Sequence, residues 1–296
     1  MSCAIPIRIV NPHYKSLAKE NNESIKKYES NDDYYLDVPC GQCANCLKSK
    51  GSSWALRLQL EYKYLTSLQK SNSFFVTLTL SEEHIDKDKS RLIRLFLERI
   101  RKSYGRSVRH WIISEFGENT KRFHYHGLLF DIPFHRTELF KFWQYGHVTI
   151  QPITPRRITY ITSYVNKQLK NNRIPLEDPR YKQSIWCSKG IGSSVALDER
   201  VTKHLRIGSS CTPFMHNPSG RVVSIPRYLR EKFYNHVELS SLKDVYYANL
   251  SDDLIPDPPY FIGNKKYTDY TIYMADCAKL RKQRTHINYK YGKRQS

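Results

Sequence analysis

The sequence contains no run of about 18 apolar residues, the length that a helix needs to cross a bilayer. Its first ten residues lack the charged start and long apolar stretch of a secretory signal. A GxxxxGK(S/T) phosphate loop and a repeat at solenoid spacing are also missing. We therefore expect no membrane span, no signal peptide and no P-loop helicase or ATPase activity.

Acidic residues are scarce relative to basic ones. The 296 residues include 28 Asp and Glu against 48 Lys and Arg, which gives a formal charge of +20. This balance points to a polyanionic partner, nucleic acid above all, although a merely cationic surface would give the same count. The chain also has 22 tyrosines. Because unstacked bases stack on aromatic rings in a positive groove, the composition favours single-stranded nucleic acid.

Three of the seven cysteines form a single motif, Cys40-x-x-Cys43-x-x-Cys46. An odd number of cysteines with this spacing favours metal binding or free thiols over a disulfide framework, and therefore a reducing cytoplasm. Three thiolates need a fourth ligand for a closed zinc site, and Cys3 is the natural candidate. Ordinary buried thiols are the alternative. We expect the isolated Cys187, Cys211 and Cys277 to pack as small hydrophobic residues.

The pattern of apolar residues predicts an α+β fold with one antiparallel sheet and covering helices, because strands and helices interleave from 71 to 170. The first 50 residues read as polar loop. The predicted elements are a helix over 53–69, a strand over 74–80, a helix capped by Ser90, a hairpin of strands 108–116 and 123–130, a short helix from Thr137 with Gly146 as C-cap, a strand over 147–153, and a helix capped by Thr154 that reaches Leu169.

The central chemical motif is His124-Tyr125-His126. Residues two apart on a strand point the same way, so the two imidazoles can chelate one cation, Mg²⁺ or Mn²⁺. Glu115 lies on the neighbouring strand near the matching level and would complete the ligand set, leaving positions open for water and a phosphate oxygen. Glu118 is the competing carboxylate, although it falls in the predicted turn. An exposed histidine pair without a metal is the alternative.

A second motif is the helical segment that carries Tyr160, Tyr164 and Lys167. The apolar residues of this helix form one stripe, and we expect these three side chains on the opposite face. The stripe is made of Ile158, Ile161, Val165 and Leu169. A tyrosine hydroxyl can attack phosphorus when a nearby cation or base favours its phenolate, and Lys167 can stabilise the in-line transition state. Plain surface tyrosines are the alternative.

In the order and spacing of these motifs, the sequence resembles the replication initiators of gokushovirus-type microviruses, members of the HUH endonuclease superfamily. The resemblance covers most of the chain. Besides an early cysteine near Cys3, it rests on the segments 38–43, 75–79, 115–117, 123–130, 190–192 and 225–229 and on the tyrosine helix. One departure is the segment Lys121-Arg122-Phe123, where arginine followed by proline is expected; it touches no ligand.

The resemblance implies an HUH-endonuclease-like antiparallel sheet flanked by helices, with a cysteine-rich N-terminal segment and a helical, basic C-terminal extension. Residues 1–70 would form the Cys-rich segment and a helix, 71–235 the nuclease core, and 236–296 a linker, helix and basic tail. The metal ligands carry over onto His124, His126 and Glu115. The nucleophile carries over onto Tyr164, with Tyr160 as the second of a pair.

The activity that the resemblance implies is rolling-circle replication initiation. The protein would nick a single-stranded DNA origin, stay joined to the 5′ phosphate and later rejoin the displaced strand. Because the chain lacks a phosphate loop, unwinding would require a host helicase and replication machinery in the cytoplasm of a bacterial cell. Two alternatives remain open: a non-catalytic zinc-containing DNA-binding protein, and a relaxase or transposase of the same superfamily.

Overall fold

The structure is a computed structural model. It describes residues 3, 5–41, 43–69, 72–117, 122–167, 183–207, 210–248, 260–262, 265–268, 272, 276 and 279. The chain divides into two compact units, which are treated separately below: Met1–Ser49 together with Asp252–Ser296, and Lys50–Ser251. Within the described part of the chain, no helix combines the length and apolar character that crossing a bilayer requires.

The strands are β1 (Ile7–Val10), β2 (Tyr35–Val38), β3 (Phe74–Thr79), β4 (Arg109–Phe116), β5 (Phe123–Phe130), β6 (Val148–Pro152), β7 (Ile185–Cys187), β8 (Arg206–Ile207), β9 (Ser210–Cys211), β10 (Phe214–His216), β11 (Val222–Ser224), β12 (Tyr260–Ile262) and β13 (Lys265–Tyr267). The helices are α1 (Pro12–Glu20), α2 (Ala44–Ser67), α3 (Lys89–Tyr104), α4 (Leu139–Phe142), α5 (Pro155–Lys167), α6 (Glu199–Thr202), α7 (Arg227–Phe233) and α8 (His236–Ala248).

The larger unit is built on a five-stranded antiparallel sheet with the strand order β6-β3-β5-β4-β7. The predicted α+β class and the predicted hairpin are confirmed, since β4 and β5 pair along eight residues each. The central strand β5 is nearly buried throughout, because helices cover both faces of the sheet. The sheet therefore holds any residue on β5 in a rigid position.

Side chains alternate between the two faces of the sheet, as the two-residue period of a strand requires. One face packs against α3 and α4 through a cluster that includes Ile93, Phe96 and Trp143. The other face packs against α5 and the middle of α2 through Leu58, Ile158 and Ile161. We call this second surface the α5 face. A third cluster joins the opposite side of α2 to the segments around α7 and α8.

Helix α5 begins as predicted. Pro155 occupies the first helical position, and the backbone N–H of Arg157 donates to the Thr154 hydroxyl at 3.2 Å. This capping fixes where the helix starts relative to the end of β6. The predicted last residue, Leu169, lies outside the described residues.

Two predicted caps were wrong. Asp88, rather than Ser90, caps α3, because its carboxylate accepts from the N–H groups of Ser90 and Arg91. Helix α4 already ends at Phe142, so Gly146 is not its C-cap. Gly146 instead lies where the chain passes the backbone of β3. A Cβ at this position would come within 2.4 Å of the carbonyl oxygen of Thr79.

The smaller unit corrects the prediction of a polar loop over the first 50 residues. Strands β1 and β2 pair antiparallel, and α1 lies between them in the chain. Asn11 caps α1 by accepting from the N–H of His13, and Pro12 follows the cap. Strands β12 and β13 form a second hairpin. Most of the predicted linker 252–264 and basic tail 279–296 lies outside the described residues.

Candidate active site

The histidine motif lies on the α5 face of the sheet. Along β5, Tyr125 and Leu129 join the cluster under α3, whereas Leu128 and Phe130 join the cluster under α5. His124 and His126 share the parity of Leu128, so both imidazoles face the α5 side. The ring planes are nearly parallel at 15°, and the ring centroids are 6.5 Å apart. The expected side-by-side arrangement of the two imidazoles is therefore present.

His126 is nearly buried and is held from two sides. Its Nδ1 lies 3.0 Å from the hydroxyl of Thr77, which is its register partner on β3. Its Nε2 lies 2.9 Å from Oε2 of Glu115. Sequence reasoning missed Thr77, although a threonine on the strand predicted over 74–80 was the available signal. Two fixed neighbours orient this imidazole, as a metal ligand or a phosphate-binding group requires.

Glu115 lies directly opposite His124 in the register of β4 and β5, as predicted. Its carboxylate, however, contacts His126. Within the residues that the structure describes, the sets of three or more His, Cys, Asp or Glu with all donor atoms within 4.8 Å do not include His124, His126 and Glu115. These three form a more open set whose two nitrogens and one carboxylate suit Mg²⁺ or Mn²⁺. Glu118 lies outside the described residues.

The environment of His124 favours the neutral imidazole. Burial lowers the pKa of His124, and the neighbouring His126 lowers it further, while the Glu115 carboxylate opposes both effects. A neutral imidazole keeps a lone pair free for a cation. His124 is therefore suited to ligation at neutral pH.

The position of Tyr164 corrects the sequence prediction. We expected Tyr164 to lie opposite the apolar stripe of α5, but its side chain is only 1% exposed and belongs to the cluster under the helix. At about 100° per residue, Tyr164 stands roughly 60° from Ile161 around the helix, so it flanks the stripe. Tyr160 is 49% exposed, as expected for the outer face.

The two tyrosines meet the histidine pair. The ring of Tyr164 stacks on that of His126, with a centroid distance of 4.9 Å and an angle of 4° between the planes. Tyr160 contacts His126 edge-on at 6.2 Å, and the hydroxyl of Tyr164 donates to that of Tyr160. Burial raises the pKa of Tyr164 well above its usual value, and the bond to Tyr160 and the nearby Glu115 raise it further. Both hydroxyls thus lie beside the candidate ligands.

Lys167 is the last residue of α5 that the structure describes, and its side chain lies outside the described residues. Its proposed role in stabilising charge stays a prediction. The other residues singled out for chemistry on β4, β5 and α5 come together on one face of the sheet.

The four cysteines predicted as zinc ligands also come together, in the smaller unit. Cys3, Cys40, Cys43 and Cys46 form a group that could hold a metal ion. The prediction for the isolated cysteines was wrong for Cys187, which is exposed on the edge strand β7, where β4 covers it on one side only. Cys211 packs partly buried against the third cluster, as expected. Cys277 lies outside the described residues.

Comparison with known proteins adds an independent observation. A family model that describes replication-associated proteins of the ORF2 type matches residues 73–169, the segment from β3 to α5 that carries the histidine pair and both tyrosines. No solved structure matches the chain.

Three curated proteins of bacterial viruses are similar to most of the chain. The replication-associated protein ORF2 of Spiroplasma virus 4 is 27% identical over 69% of this chain and 72% of its own length. Replication-associated protein ORF4 of Chlamydia phage 1 is 22% identical over 81% and 65% of the two chains. Replication-associated protein VP4 of Bdellovibrio phage phiMH2K is 25% identical over 79% and 82%. These similarities confirm the resemblance to gokushovirus-type microviruses.

Proposed function

Taking the similarity to replication-associated proteins of microviruses as the premise, we propose that this chain initiates rolling-circle DNA replication in the cytoplasm of a bacterial host. It binds a single-stranded DNA origin and breaks one phosphodiester bond by tyrosine attack. The 5′ phosphate stays attached to the tyrosine until a later transfer rejoins the strand. One observation carries the proposal: Tyr160 and Tyr164 lie against the imidazole of His126, next to His124 and Glu115.

The ligands of the proposed catalytic ion are His124, His126 and Glu115. When bound there, Mg²⁺ or Mn²⁺ would polarise the scissile phosphate and offset its developing charge. The protein contributes a neutral imidazole at His124, whose lowered pKa keeps its lone pair available. It also contributes the hydrogen bond from Thr77, which fixes the ring of His126. For Glu115 to join the ligand set, its carboxylate must share its contact with His126.

The two tyrosines begin from different states. Tyr160 presents a half-exposed hydroxyl that DNA can reach without a change in α5, and the hydrogen bond from Tyr164 would stabilise its phenolate. In the attack, the Tyr160 oxygen bonds to phosphorus, the 3′ oxygen leaves, and the phenolic proton passes to the leaving oxygen or to solvent. Attack by Tyr164 requires its ring to leave the stack on His126. Two hydroxyls one turn apart then let one remain esterified while the other attacks.

The remaining parts of the proposal concern partners. The charge of +20 suits a groove that tracks the phosphate backbone, and exposed aromatic rings suit unstacked bases. Because the sequence has no phosphate loop, a host helicase would unwind the duplex and the host replication machinery would extend the free 3′ end. Lys167 would stabilise charge at the scissile phosphate.

The test uses labelled single-stranded DNA that carries candidate origins, incubated with the full chain and either Mn²⁺ or a chelator. We expect a metal-dependent protein–DNA adduct that survives denaturation. Combined replacement of Tyr160 and Tyr164 by Phe should abolish it. Tyr104→Phe is the matched control, because this tyrosine packs on the opposite face of the sheet and bonds to Glu138.

The outcomes separate the competing functions. If DNA is retarded only under native conditions for every origin tested and no adduct forms, the chain is a non-catalytic DNA-binding protein. If the adduct forms equally in the double Phe variant, the tyrosine assignment is wrong. If His126→Ala cleaves as well as the wild type, the ligand assignment is wrong.

A further inference from the structure

The four-cysteine group of the smaller unit has the dimensions of a mononuclear metal site. The sulfur atoms of Cys3, Cys40, Cys43 and Cys46 all lie within 4.8 Å of one another. The Cys3–Cys43 and Cys40–Cys46 sulfur pairs are 3.9 Å and 4.0 Å apart. Four thiolates placed tetrahedrally at a zinc–sulfur distance of about 2.3 Å lie about 3.8 Å from one another. The spacing is therefore that of ligands around one ion.

Other uses of four cysteines fit this spacing less well. A disulfide requires a sulfur–sulfur distance of about 2.05 Å, and all four cysteines are free. A polynuclear iron–sulfur cluster places several irons and sulfides between its thiolates and so holds them farther apart than one ion does. A single tetrahedral ion is the occupant that matches both the number of ligands and their separation.

The backbone around the cysteines is arranged to receive negatively charged sulfur. The N–H of Cys40 donates to the sulfur of Cys3 at 3.3 Å, and the N–H of Cys43 donates to the sulfur of Cys40 at the same distance. Gly41, with φ of +71°, lets the chain turn between these ligands. Hydrogen bonds from N–H groups to ligand atoms orient thiolates and offset their charge. Packed neutral thiols would not need them.

We propose that Cys3, Cys40, Cys43 and Cys46 bind one Zn²⁺ as a closed structural site. With all four positions filled by protein, no position remains for water or a phosphate oxygen, so this ion takes no part in phosphoryl transfer. Zinc is the ion that tetrahedral four-thiolate sites most commonly hold, whereas Mg²⁺ and Mn²⁺ prefer oxygen ligands.

The site would hold together the two ends of one small module. Cys3 lies just before β1, and Cys40 lies two residues after β2, so the ion would close the segment that contains β1, α1 and β2. The two strands pair over only four residues each, and most of their side chains are exposed or half-exposed. A module with so little core requires a staple such as a metal ion to stay folded. The zinc would supply that staple.

The experiment measures metal in the full chain purified under reducing conditions. We expect one zinc per chain in the wild type and in Cys187→Ser, the matched control, since Cys187 is an exposed cysteine in the other unit. Cys43→Ser should lose the zinc. Replacement of zinc by Co²⁺ should give the intense visible bands and thiolate charge-transfer absorption of a tetrahedral four-sulfur site. No DNA is present, so the result is independent of nicking.

A second measurement keeps the test decisive if Cys43→Ser fails to fold. The wild-type chain is treated with a thiol-reactive mercurial, and released zinc is followed alongside hydrogen exchange of residues 5–38. We expect four thiols to react per zinc released, with a loss of protection over 5–38. The proposal is overturned if the purified chain contains no zinc and takes up none, if it contains iron instead, or if zinc release leaves exchange over 5–38 unchanged.

Discussion

Glu61 is the buried charge on which we expect the stability of the larger unit to depend most. The side chain lies on α2 and is only 1% exposed. One carboxylate oxygen accepts from Nε of Arg109 at 2.6 Å, and the other accepts from the N–H of Gly192 at 2.7 Å. Glu61 therefore joins α2 to the first residue of β4 and to the turn at 190–192.

Glu61→Gln keeps the size of the side chain and one acceptor oxygen, so only one of the two donors keeps its bond. The other donor meets an NH₂ group that cannot accept. Losing a buried hydrogen bond to a charged group costs about 1.5–3 kcal/mol, and removing one partner of a fully buried pair costs about 3–5 kcal/mol. Since the Arg109 side chain is 34% exposed and can be rehydrated, we expect a loss of about 3 kcal/mol.

Urea unfolding of the full chain, followed by intrinsic fluorescence, measures this loss. For a unit of about 200 residues it corresponds to a decrease in Tm of roughly 6–12 °C. The matched control is Glu231→Gln, because Glu231 pairs with Arg227 at 2.8 Å but is 49% exposed. The control should change the free energy of unfolding by no more than about 0.5 kcal/mol. Equal effects of the two substitutions would refute the assignment of a stabilising role to the buried carboxylate.

Three further predictions concern packing, pH and salt. Gly127→Ala should destabilise the chain by about 1–3 kcal/mol in urea unfolding, because its Cβ would lie 3.0 Å from Ile112 Cγ1 and 3.1 Å from Val76 Cγ2 in the core; an unchanged midpoint would show that these side chains can move aside. The hydrogen bonds of Glu238 with Arg206 and with the backbone of residue 235 lower the pKa of Glu238 from 4.5 to about 2, so its stabilisation is present above about pH 4.5 and is lost as the pH falls toward 2; Glu238→Gln should unfold with a weaker dependence on pH between 5 and 3, and an identical dependence would contradict the shift. The affinity for single-stranded DNA should fall steeply with salt, with a logarithmic slope of about −0.7 for each phosphate contacted, and a flat response in filter binding would exclude a basic groove.

The parts of the fold that sequence reasoning predicted well are those with a strong local signal. The β4–β5 hairpin stands out because apolar and aromatic residues fill both strands and a polar turn separates them. The helix α3 has its apolar residues at helical spacing. By contrast, β7 has three residues and pairs only with β4, so the sequence carries no pattern that marks it.

The first 50 residues were mispredicted for a similar reason. Strands β1 and β2 have four residues each, and their exposed, mixed side chains give no regular alternation. Helix α1 did carry a signal, since Asn11 and Pro12 form a typical helix start, but its polar composition concealed it. The cysteine spacing succeeded in the same region, because the chemistry of metal ligation restricts which residues can be neighbours more tightly than secondary structure does.

The candidate site was predictable in its members and less so in its contacts. The two-residue period of a strand was enough to place His124 and His126 on one face. It could not indicate that Glu115, opposite His124, would contact His126, because that depends on side-chain rotamers. The burial of Tyr164 depends on how α5 is rotated against the sheet, which the helical period alone does not determine.

The most direct test of the proposed function is to identify the residue that becomes linked to DNA. The wild-type chain is incubated with origin single-stranded DNA and Mn²⁺, the adduct is digested with nuclease and protease, and the modified peptide is sequenced by mass spectrometry. We expect a nucleotide on Tyr160 or Tyr164, in the peptide from α5, and none when the chelator replaces the metal. A nucleotide on a residue outside α5, or no modified peptide with any origin, would contradict the account.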